Sequence, residues 1–389
     1  MGNDERNRRV YLRNGPRRAL DGTRHDNAAY AFHRRLPGYT PTPLRAAPQT
    51  AQALGIGQLW VKHERSRFGL PAFKVLGAAW ATYRALAEQI GSEPATWATL
   101  DDLAAWAAPL RPLTLVAATD GNHGRAVARM AALLGFGARI YVPDDMTAAR
   151  RAAIASEGAE VVVVHGTYDD AVARSADDAG PHCMVISDST WPGYEQVPAW
   201  VIEGYGTILW ELEDQFAALG VAPPRVVAVQ IGVGALAAAV TRHYRRPELA
   251  EMPALLGVEP LLAAGMLASL HAGRMVSVPG PHTSIMAGLN CGAPSTLAWP
   301  VLSAGLDALV AVEDERAREA MRLLAADGIE AGETGAAGVA GLLEAAHGAY
   351  AGELRSALGL TAETTALAIV TEGATDPAAY AEIVGRAAG

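Results

Sequence analysis

Between residues 113 and 186 short apolar runs alternate with helical patterns, and this alternation constrains the fold more than any other feature of the chain. Residues 113–118, 139–142, 161–164 and 184–186 read as strands. Residues 122–134 between the first two read as a helix, with Val127, Met130, Ala131 and Leu134 on one face. Further helical patterns at 148–156 and 168–179 separate the later strands. Short connections of this kind are what βαβ units packing into a parallel sheet require.

The pattern recurs on both sides of that block. A first β-element lies near Leu59-Trp60-Val61. A long helix is expected at 200–219, followed by a strand at 226–230 that runs into Gly232-Val233-Gly234 and a helix at 235–245. Apolar runs at 255–258, 309–312 and 367–370 read as further strands of a second sheet, with a strand-poor stretch at 265–304. No repeat and no low-complexity linker is evident. The expectation is therefore an α/β protein of two lobes, the larger from residues 1–81 plus 196–389 and the smaller from 82–195, with the site in the cleft between them.

Composition narrows the function classes. The chain has 389 residues, half of them hydrophobic and 19% charged, which suits a globular enzyme with a sizeable core. A net charge of -9 argues against nucleic acid as a partner. No apolar run approaches the roughly 20 residues needed to cross a bilayer. The two cysteines, Cys183 and Cys291, exclude a disulfide-dense scaffold and fit a reducing cytoplasm. Neither has metal-ligand spacing, so no metal is expected. The arginine-rich start (Arg6, Arg8, Arg9, Arg13, Arg17, Arg18) lacks an apolar core for a signal peptide. It reads as a solvated arm or a segment packed on a partner subunit.

Three segments carry chemistry. The stretch from Ser66 to Ala79 places Lys74 between an apolar loop and an apolar helix with small residues at Gly77, Ala78 and Ala79. An ammonium in such a setting tends to lose its proton, and a neutral amine in a dry site can condense with an aldehyde. Gly232-Val233-Gly234 follows a strand and opens a helix, an arrangement whose backbone N–H groups and dipole attract phosphate. Thr119-Asp120-Gly121-Asn122-His123-Gly124 sits at another strand-to-helix junction. Asn122 there is either a helix N-cap or an amide donor to a ligand, and Asp120 leaves a strand end.

The order of these segments, closed by Thr371-Glu372-Gly373 after the last strand, resembles the fold type II pyridoxal-phosphate (PLP) enzymes, the superfamily of the tryptophan synthase β subunit and the serine and threonine dehydratases. The resemblance runs from about Tyr39 to Pro377. Within that superfamily the motifs are most similar to the diaminopropionate ammonia-lyase family. They are Arg67-Phe68-Gly69-Leu70 with Ala72-Phe73-Lys74, Ala118 through Arg125, Tyr168-Asp169-Asp170, and Ser187 through Tyr194. Ile285 through Leu289 with Cys291-Gly292, Gly332 through Ala336, and Thr375-Asp376-Pro377 complete the set. The chain departs from the family pattern at Pro71, at Ala374, at Pro260-Leu261-Leu262 and at His282-Thr283-Ser284.

The resemblance implies a fold of two three-layer α/β lobes with PLP between them. It implies that Lys74 holds the cofactor as a Schiff base. Phe73, Asn122, Gly232, Val233, Gly234 and Ala235 are then cofactor-binding residues. Thr371, or a residue next to it, meets the pyridine nitrogen. Asp120 and Asp188 are the expected catalytic carboxylates, which bind the second ammonium of a diamino acid or remove the α-proton. Ser284 joins them as a substrate contact, with His282 and Glu333 in second rank. The implied reaction is elimination of ammonia from 2,3-diaminopropionate, giving pyruvate and a second ammonia. The alternative is a PLP-dependent serine or threonine dehydratase, or an enzyme of β-elimination or β-replacement on a modified amino acid. A homodimer is the usual assembly for this resemblance.

Overall fold

The apolar runs become parallel strands. The computed structural model of the chain describes residues 3–20, 26–119 and 121–385. Its strands are β1 (Val10–Leu12), β2 (Leu44–Ala46), β3 (Gln58–His63), β4 (Thr114–Ala118), β5 (Gly137–Pro143), β6 (Glu160–Val164), β7 (Cys183–Val185), β8 (Val226–Gln230), β9 (Ala254–Pro260), β10 (Ala308–Val312) and β11 (Thr365–Val370). They form a seven-stranded sheet in the order β1-β10-β9-β8-β11-β3-β2 and a four-stranded sheet in the order β6-β5-β4-β7. The expected strands are present in both sheets.

The described residues divide into two units. One comprises 3–20, 41–66 and 208–385 and contains the larger sheet; the other comprises 26–40, 67–119 and 121–207 and contains the smaller one. Residues 67–81 and 196–207 group with the smaller unit.

In the larger unit β8, β9, β10, β11 and β3 run parallel, and only the edge strands β1 and β2 are antiparallel. Val226, Ala228, Leu256, Val258, Val310 and Ala368 are buried in its core, as expected of strands covered on both faces. The stretch 265–304 holds the helices Gly265–Ala272 and Ala298–Gly305 and no strand. The arginine-rich start is not a solvated arm. It packs on its own unit: β1 pairs antiparallel with β10, and the arginines find partners on either side of it. Arg9 meets Glu313 at 2.9 Å and Arg17 meets Asp307 at 3.2 Å. Arg13 donates to the carbonyls of Leu306 and Ser303 at 2.6 and 2.7 Å. Composition registers the charges but not these acceptors, which lie about 300 residues away in sequence.

In the smaller unit β4 is flanked by β5 and β7, with Val116 opposite Arg139 on one side and Val185 on the other. The helix Val75–Ile90, which Lys74 begins, buries most of its length. A close crossing fixes its first turn. A Cβ on Gly77 would stand 2.6 Å from the Tyr205 ring and 2.7 Å from a Val201 methyl, and one on Gly204 would stand 2.5 Å from the Leu76 carbonyl oxygen. Two glycines thus bring the helix Val75–Ile90 and the helix Gln196–Leu219 into backbone contact. Phe73 packs on Tyr205 at 4.6 Å beside this crossing. Gly204→Ala should cost about 1–3 kcal/mol in urea denaturation, because a backbone oxygen cannot turn aside. Gly77→Ala should cost less, because a ring and a methyl can.

Candidate functional site

Lys74 follows a tight turn. Arg67 and Leu70 hydrogen-bond in both directions across it, N to O, at 2.8 and 2.9 Å, and both central residues have positive φ, 51° at Phe68 and 75° at Gly69. A glycine adopts this freely; a phenylalanine does not. Phe68 is held there by its ring, which sits 6.0 Å from Tyr39, and by Arg129, which donates to its carbonyl at 3.3 Å. The chain leaves this turn with Lys74 at the helix start and its side chain 20% exposed.

The Lys74 Nζ donates to Oδ2 of Asp188 at 2.6 Å. Asp188 is 5% exposed and lies in the loop that follows β7. That loop is pinned from three sides. The Tyr194 hydroxyl donates to the Val185 carbonyl at 2.7 Å and accepts from the Ser187 N–H at 3.0 Å, while its ring stacks on Trp191 at 4.0 Å. The Tyr168 hydroxyl reaches Asp188 Oδ1 at 3.4 Å and Ser189 Oγ at 3.2 Å. His123 Nε2 lies 2.7 Å from the Ile186 carbonyl, so that nitrogen carries the proton, and Nδ1 lies 3.9 Å from Asp188 Oδ2. Burial pushes the Asp188 carboxyl up, but the Lys74 charge, His123 and the hydrogen bond from Lys74 together outweigh it and hold the group well below the usual carboxylate range.

The remaining expected residues of this unit are near the same elements. Asp120 lies outside the described residues. Beside it, the Thr119 hydroxyl accepts from the N–H groups of Gly121 at 2.9 Å and Gly124 at 3.0 Å, which shapes the turn. Asn122 is the first residue of the helix Asn122–Leu134, with Gly121 as N-cap. That helix packs on the helix begun by Lys74. Phe73 is buried, with Lys74 Nζ 5.7 Å from its ring centroid.

In the larger unit β8 ends at Gln230 and leads through Gly232, Val233 and Gly234 into the helix Ala235–Tyr244. Gly234 is the N-cap of that helix, with φ of 96° and no side chain capping the turn. A Cβ there would meet Ala298 at 2.7 Å. Thr371, just after β11, is buried, and its hydroxyl accepts from Gln230 Nε2 at 3.0 Å. Glu333 is buried in the turn whose Gly332 N–H donates to the Glu372 carbonyl at 3.2 Å. Ser284 donates to Asp314 Oδ1 at 2.6 Å and accepts from the Met286 N–H at 3.1 Å, a loop-fixing role. His282 Nε2 lies 3.2 Å from the Val278 carbonyl. Among the described residues no group of His, Cys, Asp and Glu is arranged to hold a metal ion, and no helix is long and apolar enough to cross a membrane.

These features fit a phosphorylated aldehyde. An uncapped helix start behind two glycines suits a phosphate, and a part-exposed amine that shares its proton with a buried carboxylate suits an imine-forming lysine. A model of the family described as pyridoxal-phosphate dependent enzyme matches residues 35–369. The chain belongs to this family. Its members include diaminopropionate ammonia-lyases to which this chain is similar. That of Salmonella typhimurium is 35% identical over 370 residues, 91% of this chain and 90% of its own. That of Escherichia coli K12 is 36% identical over 365 residues, 92% and 90% of the two chains. The crystal structure of the Escherichia coli diaminopropionate ammonia lyase in complex with an aminoacrylate–PLP azomethine intermediate matches with a TM-score of 0.83. The identity there is 34%, over 92% of this chain and 90% of that one. The fold is accordingly that of the fold type II PLP enzymes, and the cofactor of this chain is PLP.

Tyr168 and Tyr194 fall within the motifs quoted above, but the motifs do not announce their bonds to Asp188 and its loop. Gln230 belongs to no motif; its one signal is a glutamine closing an otherwise apolar strand directly before the glycine loop.

Without Lys74 the burial of Asp188 is less opposed, so in cofactor-free Lys74→Ala the carboxyl should titrate above the ordinary value near 4, measured by carbon NMR. The sign of the pH dependence follows. In the wild-type protein the folded-state carboxyl is more acidic than the unfolded one, so its contribution to stability is present above about pH 4 and lost on acidification. In the variant the folded-state carboxyl is less acidic, and the contribution should instead fall as pH rises from about 4 towards the raised value.

Proposed function

We infer that this protein is a PLP-dependent carbon–nitrogen lyase that eliminates ammonia from 2,3-diaminopropionate, releasing pyruvate and a second ammonia. The observation that carries the reading is the 2.6 Å contact between Lys74 and the buried Asp188, on a chain 35–36% identical to diaminopropionate ammonia-lyases over about nine-tenths of its length.

Bound PLP supplies the electron sink that makes the substrate α-proton acidic. The chain's own groups do the rest. Lys74 would hold the cofactor covalently and, as a free amine, would move protons. The N–H groups of Gly232, Val233, Gly234 and Ala235 bind the phosphate, with Asn122 and Phe73 as further contacts. The Thr371 hydroxyl meets the ring nitrogen. Asp188 is ionised while the Lys74 charge faces it; as that charge is withdrawn, burial makes the carboxylate a stronger base, which suits it to take the α-proton or to hold the second ammonium. Tyr168 fixes its orientation. Asp120 is the second carboxylate of this scheme. Ser284, whose hydroxyl also holds its loop through Asp314, is the further substrate contact of this scheme. An alkylamine leaves poorly unless protonated, so one of these acids must supply a proton to the departing nitrogen. The two cysteines fit a reducing cytoplasm, and a homodimer is the assembly the family resemblance implies.

The test measures ammonia and pyruvate released from diaminopropionate and from serine, with each enantiomer of the former. Diaminopropionate should be turned over with the higher kcat/KM; preference for serine would give the protein to the dehydratases instead. Lys74→Ala should abolish turnover. Asp188→Asn should lower kcat about 10²-fold or more for at least one enantiomer while the visible band of bound PLP remains.

A further inference from the structure

Gln230 and Thr371 are both almost fully buried, and the contact between them has a direction. Gln230 Nε2 lies 3.0 Å from the Thr334 carbonyl, 3.1 Å from the Ile369 carbonyl and 3.0 Å from the Thr371 hydroxyl oxygen, with the Gly335 carbonyl at 3.5 Å. An amide can be placed two ways round, but here only one is tenable. Turned over, the amide oxygen would face three backbone carbonyls. The atom beside Thr371 is therefore the NH₂ group, which donates and cannot accept. The two amide protons are shared among the Thr334 and Ile369 carbonyls and the Thr371 oxygen, and the Thr371 proton, which this nitrogen cannot accept, has to point elsewhere.

The other end of the amide is accommodated by the fold. Gln230 Oε1 is buried with no hydrogen-bond donor among the described residues. It lies against Gly338, in the first turn of the helix Ala337–His347, where a Cβ would stand 3.4 Å from it. The positive end of a helix dipole tolerates such an oxygen. Leaving a buried acceptor unsatisfied is costly, so the arrangement is one in which the donor end of the glutamine is held against Thr371 at the expense of the acceptor end.

We propose that Gln230 is a positioning residue for the reaction: by donating to the Thr371 oxygen it directs the Thr371 proton at the ring nitrogen of PLP and keeps that nitrogen unprotonated. The inference rests on the reading that Thr371 is the ring-nitrogen partner. A protonated ring nitrogen would bring a second donor to the same oxygen and leave the hydroxyl proton without an acceptor, in a buried site. An unprotonated ring withdraws electrons less strongly, which favours loss of the β-amino group over protonation elsewhere on the delocalised system.

The experiment is nitrogen NMR of the holoenzyme reconstituted with PLP labelled at the ring nitrogen, followed across pH, with melting temperature as a control on folding. The wild-type signal should be that of an unprotonated pyridine at neutral pH; a pyridinium signal there overturns the proposal without any variant. Gln230→Met, similar in length and unable to donate, should raise the midpoint of ring-nitrogen protonation by about one pH unit, tenfold in the equilibrium. Gln230→Asn, which withdraws the amide by one methylene, should act in the same direction and serves if the methionine variant does not fold. Thr371→Val should also move the signal, and adding Gln230→Met to it should move it no further. If Thr371→Val moves the signal and the Gln230 variants do not, the role of Gln230 is overturned and the Thr371 reading stands. If Thr371→Val leaves the signal in place, the Thr371 reading fails and the proposal with it.

Discussion

The contact between Lys74 and Asp188 ties the chemistry of the smaller unit to its packing. A carboxylate this deeply buried stays ionised chiefly because a cation faces it at 2.6 Å, and that cation is the group we propose to hold the cofactor. Everything around the pair holds it in register. The glycine crossing at Gly77 and Gly204 seats the helix that Lys74 begins. The strained turn at Phe68 aims the chain into it. Tyr194, stacked on Trp191, fastens the loop that carries Asp188 to the end of β7. Loosening any of these would shift the proton affinity of both partners at once, since neither ionisation is independent of the other.

The larger unit does a different job with neutral groups. Its contribution is a helix start without a side-chain cap, a buried hydroxyl, and a glutamine whose amide sits among carbonyls. Charges are absent from this list. Hydrogen bonds with a fixed direction, rather than ion pairs, connect these groups, and burial in a low-dielectric setting strengthens them.

How much of this the sequence reveals depends on the range of the interaction. The strands, the glycine loop, Lys74 and Asp188 are legible because periodicity and short motifs report local structure. The pairing of the N-terminal segment with the large sheet is not legible, because its arginines reach acceptors such as the Leu306 and Ser303 carbonyls, which no local pattern announces. Gln230 was passed over for a related reason. Its meaning lies in three carbonyls drawn from the 334–335 and 369 segments, and a lone glutamine at a strand end carries no hint of them. Ser284 also fastens its loop through Asp314 and Met286, a part that its residue type alone does not announce.

The pairing of β3 with β11 joins residues 58–63 to residues 365–370. A ribosome delivers the first of these long before the second, so the larger sheet cannot close until residue 370 has emerged. The smaller sheet is drawn from 114–185 alone and is complete much earlier. During synthesis the chain therefore carries a finished small sheet alongside an unfinished large one whose β3 awaits its neighbour, and that waiting strand is where chaperone engagement or misassembly would concentrate.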